Sequence, residues 1–338
     1  MPDSRVLESA KYISENSDDV FIIKDGIESA ARFVLKTMKE RNYCTKTWRQ
    51  HALNPSVADR SAVDWIFVVD TLNFSFWSET NKSTDANKSP FYVEHKGVRY
   101  TGYWALPAAI NNALEKGIPF TDPHYLASAS STDIAEPFMC ETDDKVPMVL
   151  ERVETIKSAA KVLVEKFDGS FANCIKQANG SAMKLLDIII ENFDSYRDIQ
   201  TYKERKVYFL KRAQILIGDI WACFDGEDYG KFHDIDSITM FADYRVPQVL
   251  YQLGILGYSN NIIEKLNNND AFDKGSNFEL EIRGNSIWVV EQLLQRIKQL
   301  DPEYAVNAIL LDFFLWDYAK EIESTMKIPI HLTRSIYY

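Results

Sequence analysis

The chain has 338 residues, 46% hydrophobic and 26% charged, a balance that excludes disorder for most of its length. Its 38 basic and 49 acidic side chains leave a net charge of −11, which argues against an extended grip on duplex DNA or tRNA phosphates. A small substrate with one phosphate is not excluded. Aromatic residues reach 13%, enough for a thick aromatic core or a pocket lined with rings, and the 13 Gly and 11 Pro are few, which favours long helices over many short strands.

The first helix is expected at 4–16, capped from Asp3 or Ser4, with Val6, Ala10 and Ile13 at helical spacing. A second follows at 26–41 on Ile27, Ala31, Val34 and Met38. Residues 63–77, VDWIFVVDTLNFSFW, are the most apolar stretch of the N-terminal half and suit a buried helix or a buried strand. The polar run 78–90 reads as a loop, and 91–104 as a small antiparallel hairpin turning at Lys96-Gly97.

Helical signal dominates thereafter. Residues 105–117 form a helix stopped by Gly117, and 147–167 carry a clear stripe of Val149, Val153, Ile156, Ala160, Leu163 and Phe167. Further helices are expected at 180–192, 206–224, 245–255, 258–267, 284–299 and 305–325, with a loop at 225–236. The expected fold class is therefore mainly α, compact, with one β element near residues 90–104. No stretch is rich enough in Gly, Pro or Ser to be a flexible linker, so 1–338 reads as one domain, divisible at most into 1–145 and 146–338.

The N-terminal MPDSRVLESAKYISEN has no apolar signal core, and the longest apolar runs, 66–69 and 309–311, are too short to span a bilayer. A cytoplasmic place without membrane contact is expected, with Cys44, Cys140, Cys174 and Cys223 buried or idle. No cysteine pair or cysteine–histidine spacing suits a metal, and no motif points to a nucleotide cofactor, a P-loop, a zinc protease or a serine-hydrolase elbow.

Several carboxylates interrupt apolar or aromatic runs, where charge is expensive: Asp70, Asp243, Asp312 and Asp317. Each alone suits a helix cap or an ion pair, and Arg245 is a ready partner for Asp243. Asp312 and Asp317, flanked by Phe313, Phe314, Trp316 and Tyr318, together suggest a polar bite in an aromatic pocket. On a helix they sit roughly 140° apart, so both can edge one concavity without stacking, while Phe313 and Asp317 share a face. His51 lies in a polar stretch and reads as surface unless a site claims it; His95 and His124 read as solvated. The basic run Lys203, Arg205, Lys206, Lys211, Arg212 reads as a solvated helix face, or as a seat for one phosphate monoester.

Six stretches carry a resemblance. DTLNFSFW (70–77), GYWAL (102–106), KRAQIL (211–216), SITMFADYR (237–245), LLDFFLWDYA (310–319) and IYY (336–338) resemble the queuosine salvage protein family, over nearly the whole chain. The resemblance implies an N-glycosyl hydrolase that releases queuine from queuosine 5′-phosphate for reuse in tRNA. It also implies a helical fold with a core similar to that of DNA glycosylases. The residues matching the family's substrate site are His51, Phe241, Asp243, Asp312, Phe313 and Asp317, with Asp243 as the catalytic carboxylate. No cofactor or metal and no stable nucleic-acid partner is implied. The phosphate is expected to meet a residue among Lys206, Lys211 and Arg212. A glycosylase on DNA or intact tRNA, a non-catalytic binder of a modified base and a plain helical scaffold are the competing readings.

Overall fold

The computed structural model describes residues 5–78, 91–139, 142 and 144–338; the expected Asp3/Ser4 cap, the loop at 79–90 and Cys140 lie outside them. Among the described residues the fold is mainly α, with fifteen α-helices and three two-stranded antiparallel sheets. One apolar cluster runs from Val6 to Ile328 and draws on both halves of the chain.

The N-terminal helix α1 (Arg5–Asn16) buries Val6, Ala10 and Ile13, as its spacing predicts. It packs on α14 (Asn277–Leu300), where a Cβ on Gly284 would meet the Ile13 side chain at 2.6 Å; glycine lets the two helices close. Strand β1 (Val20–Ile22) then pairs with β6 (Leu256–Tyr258), with Phe21 opposite Gly257. Helix α2 (Lys24–Glu40) follows, then the short α3 (Thr45–Trp48). The 63–77 stretch is helix in its first part and forms no strand in its second. Helix α4 (Arg60–Thr71), capped by Asp59 accepting from the Ser61 and Ala62 amides, gives way to irregular chain after Leu72.

The hairpin of β2 (Val93–His95) and β3 (Val98–Tyr100) turns at Lys96-Gly97, both at positive φ, as expected. Helix α5 (Ala105–Glu115) leads to the short α6 (Pro123–Ser128) and α7 (Ser131–Ala135), and α8 (Val149–Lys166) matches the 147–167 stripe. Helices α9 (Phe171–Ala178) and α10 (Ala182–Asn192) follow.

The structure corrects the helix expected at 206–224. Residues 205–208 are strand β5, paired in a hairpin with β4 (Ile199–Tyr202), and helix α11 (Lys211–Cys223) starts only after Leu210 at positive φ. The helix expected at 245–255 ends early, as α12 (Val246–Gln252), because β6 claims the following residues. After α13 (Asn260–Asn267), α14 begins seven residues before the 284 expected of it, because its first turns bury Glu279, Glu281 and Arg283 among their apolar side chains and so blur the stripe. Glu281 Oε2 accepts the backbone amides of Asp18, Asp19 and Val20 at 2.8–3.2 Å, so a buried carboxylate replaces a hydrophobic contact. Helix α15 (Ala308–Glu321) closes the core. His95, expected to be solvated, is buried with Nδ1 2.7 Å from Asn112 Oδ1; His124 is exposed as expected.

Candidate active site

A cavity of about 560 Å³ opens between α3, α11, α15 and the loops at 73–78, 101–104 and 241–245. Its size lies within the ~300–1,000 Å³ usual for small-molecule sites.

The 241–245 loop lacks regular structure, so side chains must satisfy its backbone. Gln214 of α11 accepts from the Thr239 amide at 3.0 Å. Asp312 Oδ1 accepts the Phe241 amide at 2.8 Å, and Arg283 donates from Nε to the Ala242 carbonyl at 3.0 Å. Asp243 Oδ1 accepts the Arg245 and Val246 amides at 2.9 and 2.8 Å, at the start of α12. Among the described residues, no protein donor takes its Oδ2. The Phe241 ring fits beneath because α11 has glycine there: a Cβ on Gly218 would lie 2.8 Å from Phe241 Cζ.

The opposite wall is the 72–78 segment, held by three arginines. Arg152 donates to the Leu72, Phe74 and Ser75 carbonyls, and Arg212 to those of Thr71 and Ser195. Arg334 donates to the Trp77 carbonyl at 2.7 Å. From this wall the Asn73 side-chain and backbone oxygens accept from Lys211 Nζ at 3.1 and 3.3 Å.

Burial sets the electrostatics. Lys211 is held below the usual lysine range by desolvation, against the pull of Asp243, Asp70 and Asp312. Asp312 is pushed well above the carboxylate range by burial and by the neighbouring Asp243 charge, and Asp243 is raised by burial. Asp70, fully buried, is pushed up to about 7 by desolvation, opposed by Asn73, Lys211 and Arg212. Asp219 is raised well above its ordinary value by burial and by Asp70.

Rings line the mouth. His51 stacks on Trp104 with centroids 3.3 Å apart, and Trp104, Tyr103 and Trp316 meet edge to face. His51 Nδ1 accepts the Leu53 amide, which leaves Nε2 as the donor of the neutral ring; burial lowers its affinity for a second proton. Phe313 lies 6.0 Å from Phe241, its plane tilted by 55°. Asp317 stands at the exposed rim, its Oδ2 accepting from the Tyr43 hydroxyl at 2.6 Å.

The fold thus brings His51, Phe241, Asp243, Asp312, Phe313 and Asp317 to one cavity. It separates the basic run. Of Lys206, Lys211 and Arg212, only Lys211 lines the cavity. Lys206 is exposed on β5, its ammonium 5.5 Å from the Tyr208 ring, and Arg212 is buried between the Phe74 and Tyr196 rings. Lys211 and Arg212 are therefore not a solvated face. Arg245 pairs with Glu323 at 2.9 Å instead of with Asp243, whose partners are amides. Asp70 stands behind the wall. Asp219, which the sequence reading passed over, lines the cavity; it sits in ILIGDIWAC, the same kind of apolar run that singled out Asp70.

A fixed carboxylate with one open oxygen, a buried ammonium and ring faces suit a flat base joined to a sugar whose bond breaks through a cationic transition state. Among the described residues, no cluster of three or more His, Cys, Asp or Glu is arranged to hold a metal ion, and no helix is long and apolar enough to cross a membrane.

Residues 53–338 match the family described as queuosine salvage protein. Relatives named queuosine 5′-phosphate N-glycosylase/hydrolase align along almost the entire chain. One from Schizosaccharomyces pombe is 44% identical over 99% of this chain and 100% of its own. One from Mus musculus is 43% identical over 98% of each. A bacterial one, from Sphaerobacter thermophilus, is 36% identical over 98% of this chain and 97% of its own.

Proposed function

The chain belongs to the queuosine salvage protein family, and from that premise we propose a reading of its cavity as the active site of a nucleotide N-glycosidase. The protein hydrolyses the N-glycosidic bond of queuosine 5′-phosphate and releases queuine. Its substrate is a small nucleotide.

Asp243 is assigned to the anomeric carbon. The observation that carries the assignment is the carboxylate's fixation by two amides through one oxygen, with the other left to the cavity. As the glycosidic bond lengthens, positive charge grows on the ribose, and a preset carboxylate stabilises it. Phe241 and Phe313 offer ring faces to the base, and His51 offers Nε2–H to its edge. Asp312 and Asp317 are assigned to queuine's secondary amine, cationic at neutral pH, and to its cyclopentenediol. Of Lys206, Lys211 and Arg212, Lys211 lines the cavity, which supports its assignment to the 5′-phosphate; Arg245 and Lys320 are further cations in the lining.

The test is incubation with queuosine 5′-monophosphate and mass detection of free queuine, with the unphosphorylated nucleoside run beside it. Release of queuine from the nucleotide, at a higher kcat/KM than from the nucleoside, is the expected result. Equal values for the two substrates remove the phosphate assignment, and no queuine at all removes the activity.

A further inference from the structure

Asp219 lies on α11 and lines the cavity, yet it is only 3% exposed. Its Oδ1 is buried and has no hydrogen-bond partner among the described residues. The groups around it come from five elements: Asp70 from α4, Trp48 from α3, Tyr103 from the turn before α5, Asp312 from α15, and Lys211 and Cys223 from α11 itself. Of these, the Trp48 side chain hydrogen-bonds to the carboxyl and Lys211 is the one cation. Asp70 behind it is fully buried, with its own Oδ2 unpartnered.

Four carboxyls, those of Asp70, Asp219, Asp243 and Asp312, thus share the field of the buried Lys211 ammonium. The Arg212 guanidinium also acts on Asp70 and that of Arg245 on Asp243, whereas Asp219 has Lys211 as its cation, so in this dry interior protons remain on some of the four. Asp219 is the best placed to keep one. Unlike Asp243 and Asp312, it accepts no backbone amide among the described residues, and it has a second carboxyl at its back. Asp243 from the 241–245 loop and Asp219 from α11 both line the cavity, so a substrate bound there meets two carboxyls, the number that glycoside hydrolysis uses as acid and base.

Given the hydrolase reading above, on which this depends, we propose that Asp219 is the acid that protonates the departing base, with Asp70 as a positioning residue that keeps the proton on it. A 7-deazapurine has no N7 to receive a proton. As the bond from C1′ to the base breaks, its electron pair passes to the base, and the Asp219 proton goes to a nitrogen of the six-membered ring. Water adds to C1′ and gives its proton to Asp243. The base leaves neutral, the sugar leaves as ribose 5-phosphate, and proton exchange with solvent through the cavity mouth returns Asp219 and Asp243 to their starting states.

The experiment measures kcat and KM for queuosine 5′-monophosphate between about pH 5 and pH 9, with queuine affinity by calorimetric titration. For Asp219→Asn we expect kcat to fall by about 10²- to 10⁴-fold, KM and queuine affinity to stay within about threefold, and the alkaline fall of kcat to disappear. Asp70→Asn should keep kcat near its plateau on the acid side and move the alkaline limb down by about one pH unit, because the charge that holds the proton on Asp219 is gone. That shift decides the matter even if Asp219→Asn fails to fold. A wild-type alkaline limb in both variants overturns the proposal. So does a loss in Asp219→Asn carried wholly by KM and queuine affinity, which makes it a base-binding group. Wild-type protein, run alongside, separates the two readings: if it releases no queuine, the hydrolase reading has failed, not the assignment of its acid.

Discussion

The chain buries charge in two ways on either side of its cavity wall. Behind the wall, Arg152 and Arg283 are 0% and 1% exposed, and every guanidinium nitrogen of each has an acceptor. Arg283 pairs with Asp198 at 2.5 Å and Glu279 at 3.2 Å, holds the Ala242 carbonyl and lies between the Phe209 and Tyr338 rings. Asp219 at the cavity and Asp70 next to it are as deeply buried, and among the described residues each has an oxygen with no partner. Buried polar groups are normally paired, so a complete set of partners marks charge used for structure. An unpaired carboxyl beside a cavity marks charge held for a ligand or a proton. Arg283 joins the two regions, since the carbonyl it holds belongs to the residue before Asp243.

The comparison breaks hardest at Arg283. Arg283→Met leaves Asp198 and Glu279 buried without their cation, a loss on the order of 3–5 kcal/mol. Urea unfolding should show it as a lower midpoint with little change in slope. A variant as stable as wild type would mean that the paired region is not what holds the fold.

Asp243→Asn should divide stability from activity in the other direction. Asparagine keeps the side-chain oxygen that caps the Arg245 and Val246 amides, so the midpoint should move little. Loss of the negative charge should slow queuine release by about 10²- to 10³-fold or more. Near wild-type turnover, measured by mass detection of queuine, would move the catalytic role to another cavity carboxyl.

The division between paired and unpaired charge also explains what could be read in the sequence. An apolar stripe is local, so α8 was legible from 147–167, and the Lys96-Gly97 hairpin carried its own turn signal. The first turns of α14 were not legible, because Arg283 finds its partner Asp198 85 residues away. The β4–β5 hairpin turns at Lys203 and Glu204, two side chains that rarely take the positive φ they have here. At the site, a carboxylate inside an apolar run was a sound signal. It picked out Asp70, Asp243 and Asp312, and applied evenly it reaches Asp219 as well. The basic run misled for the opposite reason. Lys211 and Arg212 have the composition of a wet helix face, and only the fold supplies the carbonyls and carboxyls that bury them.

The unpaired region should also reveal itself in pH dependence. Asp70 has a folded value near 7, raised from an unfolded value near ~3.9. Between these values the folded state binds the extra proton. The stability from Asp70 is thus full below about pH 4 and is lost as pH rises to and through about 7, the reverse of a salt-bridged carboxylate. The ligand-free protein should melt a few degrees lower at pH 8 than at pH 5, and Asp70→Asn should flatten that slope. An unchanged slope would mean that the extra proton resides elsewhere.

The smallest effect is expected at the rim, where the contrast fades because water reaches the charge. Asp317 has an exposed edge, and one oxygen already accepts from Tyr43 at 2.6 Å, so its carboxylate has a position, though burial of its other side still raises it above the usual carboxylate range. An exposed pair with queuine's ammonium is worth about 1 kcal/mol at most, and salt screens it. Asp317→Asn should therefore weaken queuine binding by no more than about fivefold, with a smaller difference at high ionic strength. Tyr43→Phe should reproduce part of that loss by freeing the carboxylate to swing away. Plain 7-deazaguanine, which lacks the cationic side arm, should bind Asp317→Asn and wild type alike. If 7-deazaguanine suffers as much as queuine, Asp317 acts on the shared ring, and the rim belongs with the buried carboxyls after all.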